Sequence, residues 1–407
     1  MLCCKLAVLQ APMFDGVRLM RAPASTQCKS TGWLQFRMTP PFQPHMAPQM
    51  SIDPFSPLVL SRGPALPNRF MLAPLTNQQS HPDGTLSDDE YRWLTMRAEG
   101  GFGLTMTCAA HVLASGQGFG GQLGIWSDAH LPGLTRLAEG LRGGGASAVQ
   151  LHHAGMRSPA DLIGGPPVCP WDDDKTGARS LSTAAVEDIV EAFVTAGLRA
   201  ERAGFNGVEL HSAHGYLLGQ FLDAEHNQRQ DSFGGSFANR RRVLDTIIDQ
   251  LRLRTGPEFQ IGIRISPERF GIDTAEALEL ASSLMTSNRI DYLDVSLWDC
   301  WKEPLDARFA GKPLIEWFAQ VERGSTPLGV AGMIVSGADV TRAFAAGVDF
   351  VLIGRGAILH HDFVRQVAAN PDFEPIARPV APEHLEAEGL SDAFVEYMKN
   401  WKGFVAA

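Results

Sequence analysis

The sequence has no apolar run of the roughly eighteen residues that a membrane span needs. It also has no concentrated basic face: 35 Lys and Arg stand against 45 Asp and Glu, giving a net charge of −10. That balance excludes nucleic acid as an expected partner, because a phosphate backbone is met by clustered cations. Cysteine is sparse, and its six positions (Cys3, Cys4, Cys28, Cys108, Cys169, Cys300) show neither metal-finger nor disulfide-framework spacing. Such scattered thiols fit a reducing, cytoplasmic compartment. No glycine-rich dinucleotide turn follows the first apolar run, which removes the main support for an open, doubly wound sheet. With membrane and nucleic acid set aside, a small-molecule substrate is the expected partner, and a homo-oligomer is left open.

What is present is a core-forming chain: 44% of its 407 residues are hydrophobic, enough for one large core or two ordinary ones. Residues 1–50 differ from the rest, with Asp15 as the single acid against Lys5, Arg18, Arg21, Lys29 and Arg37, several prolines and no sustained period. They read as a disordered extension, or as a start placed upstream of Met38, Met46 or Met50. Helical amphipathicity is too weak to favour a transit peptide. The main domain is expected over 51–378, followed by a tail over 379–407.

From residue 68 onward, short β-rich runs alternate with helical patterns eight times. The expected strands are Arg69–Thr76, Gly103–Ala109, Ser147–His152, Gly207–His211, Gln260–Ile265, Tyr292–Leu297, Leu328–Gly332 and Asp349–Ile353. The clearest helix is Thr183–Ala203, where Ile189, Phe193, Ala196 and Ala200 share a face and Gly204 supplies a stop. Near-continuous apolar strands imply a parallel sheet covered by helices on its outer face, and the count of eight favours closure into a (β/α)8 TIM barrel.

Polar residues then fall at the strands' carboxyl ends, the mouth of such a barrel. Thr76 and Asn77 end strand one, Gln150 and His152 strand three, His211 and His214 strand four, and Arg264 strand five. Turns rich in glycine follow strands seven (Gly332 to Gly337) and eight (Gly354, Arg355, Gly356), where barrels commonly hold a phosphate on backbone N–H groups. Arg355 would add a guanidinium able to bind that phosphate through two parallel hydrogen bonds. The His211-x-x-His214 spacing could also chelate zinc, but no carboxylate or cysteine nearby completes a set, and no metal is expected. His81, His153 and His226 read as structural. In the tail, a helix over Ser391–Trp401 would carry Phe394, Tyr397, Met398 and Trp401 on one side, packed back on the barrel by default or reaching a neighbouring subunit.

Taken together, several motifs resemble the old yellow enzyme family of FMN-dependent ene-reductases. They are Asn68-Arg69 with Met71 to Thr76, Gln150 to Gly155, His211 to Tyr216, Asn227 to Ser236 with Asn239-Arg240, and Gly354-Arg355; the likeness spans roughly residues 54–365. The resemblance implies a barrel holding FMN at the strands' carboxyl ends, with NADPH or NADH as hydride donor and an activated C=C bond as acceptor, in a ping-pong cycle. It implies that Thr76 bonds the flavin carbonyl, that the Ala109 backbone approaches the ring, that Gln150 binds the pyrimidine edge and that Arg264 lies near N1. It further implies that Gly332, Gly354 and Arg355 hold the phosphate, that His211 and His214 bind the acceptor's activating oxygen, and that Tyr216 donates a proton. A metal-dependent barrel hydrolase and a non-catalytic flavin-binding barrel are the rival readings.

Two positions depart from the family pattern. Met156 separates Gly155 from Arg157, so the loop after strand three is expected to shift and to alter the substrate space. Phe233 replaces a common tyrosine. The sequence has neither an appended nucleotide domain nor an iron–sulfur cysteine cluster, so electrons are expected to pass directly from nicotinamide to FMN.

Overall fold

The computed structural model describes residues 52–406. The expected extension over 1–50 lies outside the described residues. Eight strands run parallel: β1 Phe70–Leu72, β2 Leu104–His111, β3 Ala146–His152, β4 Gly207–Ser212, β5 Gln260–Ile265, β6 Tyr292–Ser296, β7 Leu328–Ala331 and β8 Phe350–Ile353. They form a closed barrel in the order β1-β8-β7-β6-β5-β4-β3-β2, sealed by the pairing of Phe70 with Val351 and Leu72 with Ile353. No described helix is long and apolar enough to cross a membrane.

Burial on both faces explains the strands' apolar content. Between strands and helices lies the main core, with Phe193, Ile247, Ile263 and Val351. Inside the barrel, Met71, Leu104, Met106, Tyr292, Phe350 and Leu352 form a separate plug. Its large rings fit against missing side chains: a Cβ on Gly262 would lie 2.0 Å from the Tyr292 ring, and one on Gly329 would lie 2.0 Å from Phe350. A bulky residue at either glycine would overpack the plug.

The Thr183–Ala203 helix has the expected bounds. The Ser182 side chain accepts from the Ala185 N–H at its start, and Gly204 ends it in the left-handed conformation, φ 95°. Strand one is shorter than its pattern suggests, because Pro74 cannot donate to the ladder and the segment from Ala73 leaves the sheet to shape the mouth. Strand two is longer, with a register shift between Met106 and Ala109.

The tail packs on the barrel as expected. Its helix, Asp392–Lys399, is capped by Ser391 and buries Phe394 edge-on against Trp93, ring centroids 5.0 Å apart. The Ser391 N–H donates to Gln79 Oε1 at 2.9 Å, and Val380 pairs with Val405. At the junction, Glu388 Oε2 bonds His361 Nδ1 at 2.7 Å, and His384 Nε2 bonds the Leu359 carbonyl at 2.8 Å. These bonds tie the Pro382–Ala387 helix region to the end of the barrel. His360, His384 and Glu388 are the one trio among the described residues with ligand atoms within 4.8 Å of one another.

Candidate active site

The strands' carboxyl ends surround a cavity of about 1230 Å³, counted to its open mouth. All ten residues given a role by the resemblance line it, Thr76, Ala109, Gln150, His211, His214, Tyr216, Arg264, Gly332, Gly354 and Arg355, as does His152; Asn77, also expected at the mouth, is instead buried and bonded to Glu90 because the chain turns inward after Thr76. His81, His153 and His226 lie outside it. His226 instead pairs with Asp223 at 2.9 Å.

Strand β4 places three of the ten. His211 is within the strand, and the turn beyond it sets His214 in the left-handed region at φ 59°, its N–H donating to Ser266 Oγ at 2.9 Å. Of the seven described non-glycine residues with positive φ, three (His214, Trp298, Met333) line this cavity. Such backbone strain is tolerated where neighbouring structure imposes a geometry, and it collects at functional sites. The rings then form a compact group: His211 is 5.0 Å from His214 and 5.1 Å from Tyr216, centroid to centroid, and His152 is 4.4 Å from Tyr216.

These imidazoles are neutral. Burial, then the cations Arg264 and Arg157, holds His214 down to about 3, and burial drives His211 and His152 well below the usual range. The Ala213 N–H points to His211 Nδ1 at 3.3 Å, which makes that atom an acceptor and leaves the proton on Nε2. His214 Nε2 shares Ser296 Oγ, at 2.8 Å, with Arg264 Nη2, at 3.3 Å. Among the described residues no third ligand joins His211 and His214 in a metal-binding trio.

Neutral burial has a consequence for stability. Below about pH 6.5 the unfolded chain protonates its histidines, whereas burial holds His111 at about 4, His153 and His214 at about 3, and His152 and His211 well down. Three buried carboxyls raised by desolvation, Glu90, Glu209 and Asp294, act in the opposite sense, since they keep a proton that the unfolded state loses. With His360, also lowered by burial, six imidazoles outweigh three carboxyls, so stability should fall as pH drops from about 6.5 toward 4, by about 1.4 kcal/mol per pH unit for each net proton. Urea midpoints measured across that range check the sign; a flat or rising profile toward acid would refute it.

Beneath the mouth lies a charge network that the strand-end pattern did not reveal. Arg264 Nε is 2.9 Å from Asp294 Oδ2, a close ion contact whose alignment leaves both Asp294 oxygens without a directed donor. Gln150 Nε2 donates to Glu209 Oε1 at 2.8 Å, while Glu209 Oε2 has no partner. Two carboxyls thus share the interior with Arg264, and burial pushes both upward. Strand alternation held the signal for Glu209, because it lies two residues before His211 and therefore on the same face.

Directly after strand β7, Gly332 has a φ of 151°, and a Cβ there would come 3.1 to 3.2 Å from the backbone of Trp298 and Cys300. Glycine is needed for this turn to lie so close. Arg355 is half-buried, and among the described residues it has neither an ion pair nor a hydrogen-bond partner for its guanidinium. Burial and nearby Arg378 depress its pKa, and the carboxylate of Asp299 offsets this only in part. The turn after strand three does carry the extra Met156, yet Arg157 still reaches the site: Nη1 donates to the His214 carbonyl at 2.6 Å, and the guanidinium lies 4.8 Å over the Tyr216 ring. Phe233 is buried in the main core.

A partnerless cation, a glycine turn, a polar edge and a broad opening define a barrel that accommodates a flat, phosphate-bearing cofactor beside a small substrate. The family described as NADH:flavin oxidoreductase / NADH oxidase matches residues 53–372. A probable NADH-dependent flavin oxidoreductase, YqiG of Bacillus subtilis (strain 168), is 32% identical over 363 residues, covering 86% of this chain and 97% of its own. An NADPH dehydrogenase from the same strain is 32% identical over 341 residues, 81% of this chain and 98% of its own. Morphinone reductase in complex with tetrahydroNAD superimposes with a TM-score of 0.69 at 29% identity, over 84% of this chain and 96% of that one. The chain belongs to this family, the old yellow enzyme family, and is an FMN-dependent oxidoreductase that uses a nicotinamide donor.

Proposed function

We propose that this chain reduces the activated C=C bond of α,β-unsaturated carbonyl or nitro compounds, with donor and acceptor using one site in turn. The observation that carries this reading is the convergence of two neutral imidazoles and a phenol on the cavity that also presents Arg264 and Arg355.

The residues fit FMN: among the described residues the half-buried Arg355 guanidinium has neither an ion pair nor a hydrogen bond, and it lines one cavity with Gly332, Gly354, Thr76, Ala109 and Gln150. Bound there, FMN would supply a two-electron carrier that accepts hydride from NADPH or NADH and passes it to the acceptor. Gln150, with one amide N–H fixed by Glu209, presents its other polar atoms to the pyrimidine edge. Arg264 is held in place by Asp294 and Ser296, and so offers positive charge near N1 without having to move. His211, a neutral donor through Nε2, and the neutral His214 beside it bind the acceptor's oxygen and stabilise the charge that builds on it. Tyr216 gives a proton to the carbon next to that activating group.

The visible spectrum of the purified protein tests this directly. Anaerobic NADPH or NADH should bleach the flavin band, and 2-cyclohexenone should then restore it. Bleaching without recovery by any enone or nitroalkene would overturn the reading.

A further inference from the structure

The family match ends at residue 372, yet three cavity-lining residues, Tyr397, Met398 and Trp401, come from the Asp392–Lys399 helix and the turn after it. This segment is anchored, with Phe394, Val395 and Met398 buried. Tyr397 stands beside Thr76 and Trp401 and near Tyr216, and burial raises its pKa. The rim also holds open aromatic surface. Trp401 is 42% exposed, and Trp298, the residue two beyond Ser296, is 53% exposed. Trp298 keeps its position against a strained left-handed backbone, φ 63°, with the Arg269 guanidinium 5.5 Å from its ring. Two indoles left uncovered at one cavity mouth are apolar surface that a bound ligand can bury.

On the functional reading above, we propose that the C-terminal helix is the acceptor-recognition wall of the site and, with Trp298, selects flat ring acceptors such as cyclic enones over open-chain ones. A flat ring offers an aromatic wall its whole face and has no torsions left to freeze. An open-chain enone offers less face and loses rotational freedom on binding.

The test uses the full-length, FMN-loaded protein and two variants, Trp401→Leu and Trp298→Leu. KM is measured for 2-cyclohexenone and for an open-chain enone of equal carbon number. Binding of a flat phenol is titrated by its effect on the flavin spectrum, which requires no turnover. Either substitution should raise the cyclohexenone KM and the phenol dissociation constant about tenfold, with a distinctly smaller rise for the open-chain enone. Equal losses for both acceptor shapes, or unchanged phenol binding, would overturn the proposal. Failure of the unmodified protein to reoxidise with either enone would sink the functional reading instead, and the phenol titration would still decide whether the wall exists. If Trp401→Leu does not hold flavin, Trp298→Leu, on a barrel loop, carries the same comparison.

Discussion

Phenylalanine in place of Tyr216 should slow reoxidation of the enzyme by an enone by about 10²- to 10⁴-fold, while hydride uptake from the nicotinamide stays near normal. The asymmetry follows from where the proton is needed. Hydride uptake requires none from this residue, whereas completing the reduced acceptor does. The substitution is also structurally mild, because the ring is held by its faces and edges: His152 at 4.4 Å, His211 at 5.1 Å and the Arg157 guanidinium at 4.8 Å. Phenylalanine keeps each of these contacts and loses only the hydroxyl. Stopped-flow traces of the two half-reactions separate the roles, and an equal loss in both would remove Tyr216 as proton donor.

Arg264→Met should be the most damaging single change. It leaves Asp294 buried with no cation, in the same interior as Glu209, and breaking a buried pair in this way costs about 3 to 5 kcal/mol. Hydride uptake should fall with it by about 10²- to 10³-fold, since a preorganised charge at the cofactor's edge is lost. Urea denaturation measures the first effect and rapid-mixing spectroscopy the second. Adding Asp294→Asn should recover much of the stability and none of the rate, because it removes the orphaned charge without replacing the cation. A double variant whose losses simply add would show that the two side chains do not depend on each other.

The barrel could be read from the chain because its strands are buried on both faces and its helices carry ordinary stop signals, as Ser182 and Gly204 do for the longest helix. The mouth could be read because a parallel barrel brings all strand ends to one rim, so that His211, Arg264 and Arg355 become neighbours whatever their separation in sequence. Other features were not accessible in that way. The apolar pattern extends strand one too far because Met71 to Thr76 is apolar almost throughout, and only the donor missing at Pro74 ends the ladder. Asp294 gave no local sign of its role, since its partner Arg264 lies on a different strand. For the tail helix, an apolar side was evident, but amphipathicity states only that a face is covered. Which part of the barrel covers it depends on long-range contacts such as Gln79 with Ser391 and Trp93 with Phe394.

Because Tyr397 and Trp401 help to wall the cavity, the pocket takes its final shape only after residues 397–401 have followed the barrel out of the ribosome. The cylinder itself can seal once Ile353 has been made. Synthesis therefore passes through an interval in which a finished scaffold presents a half-open vestibule.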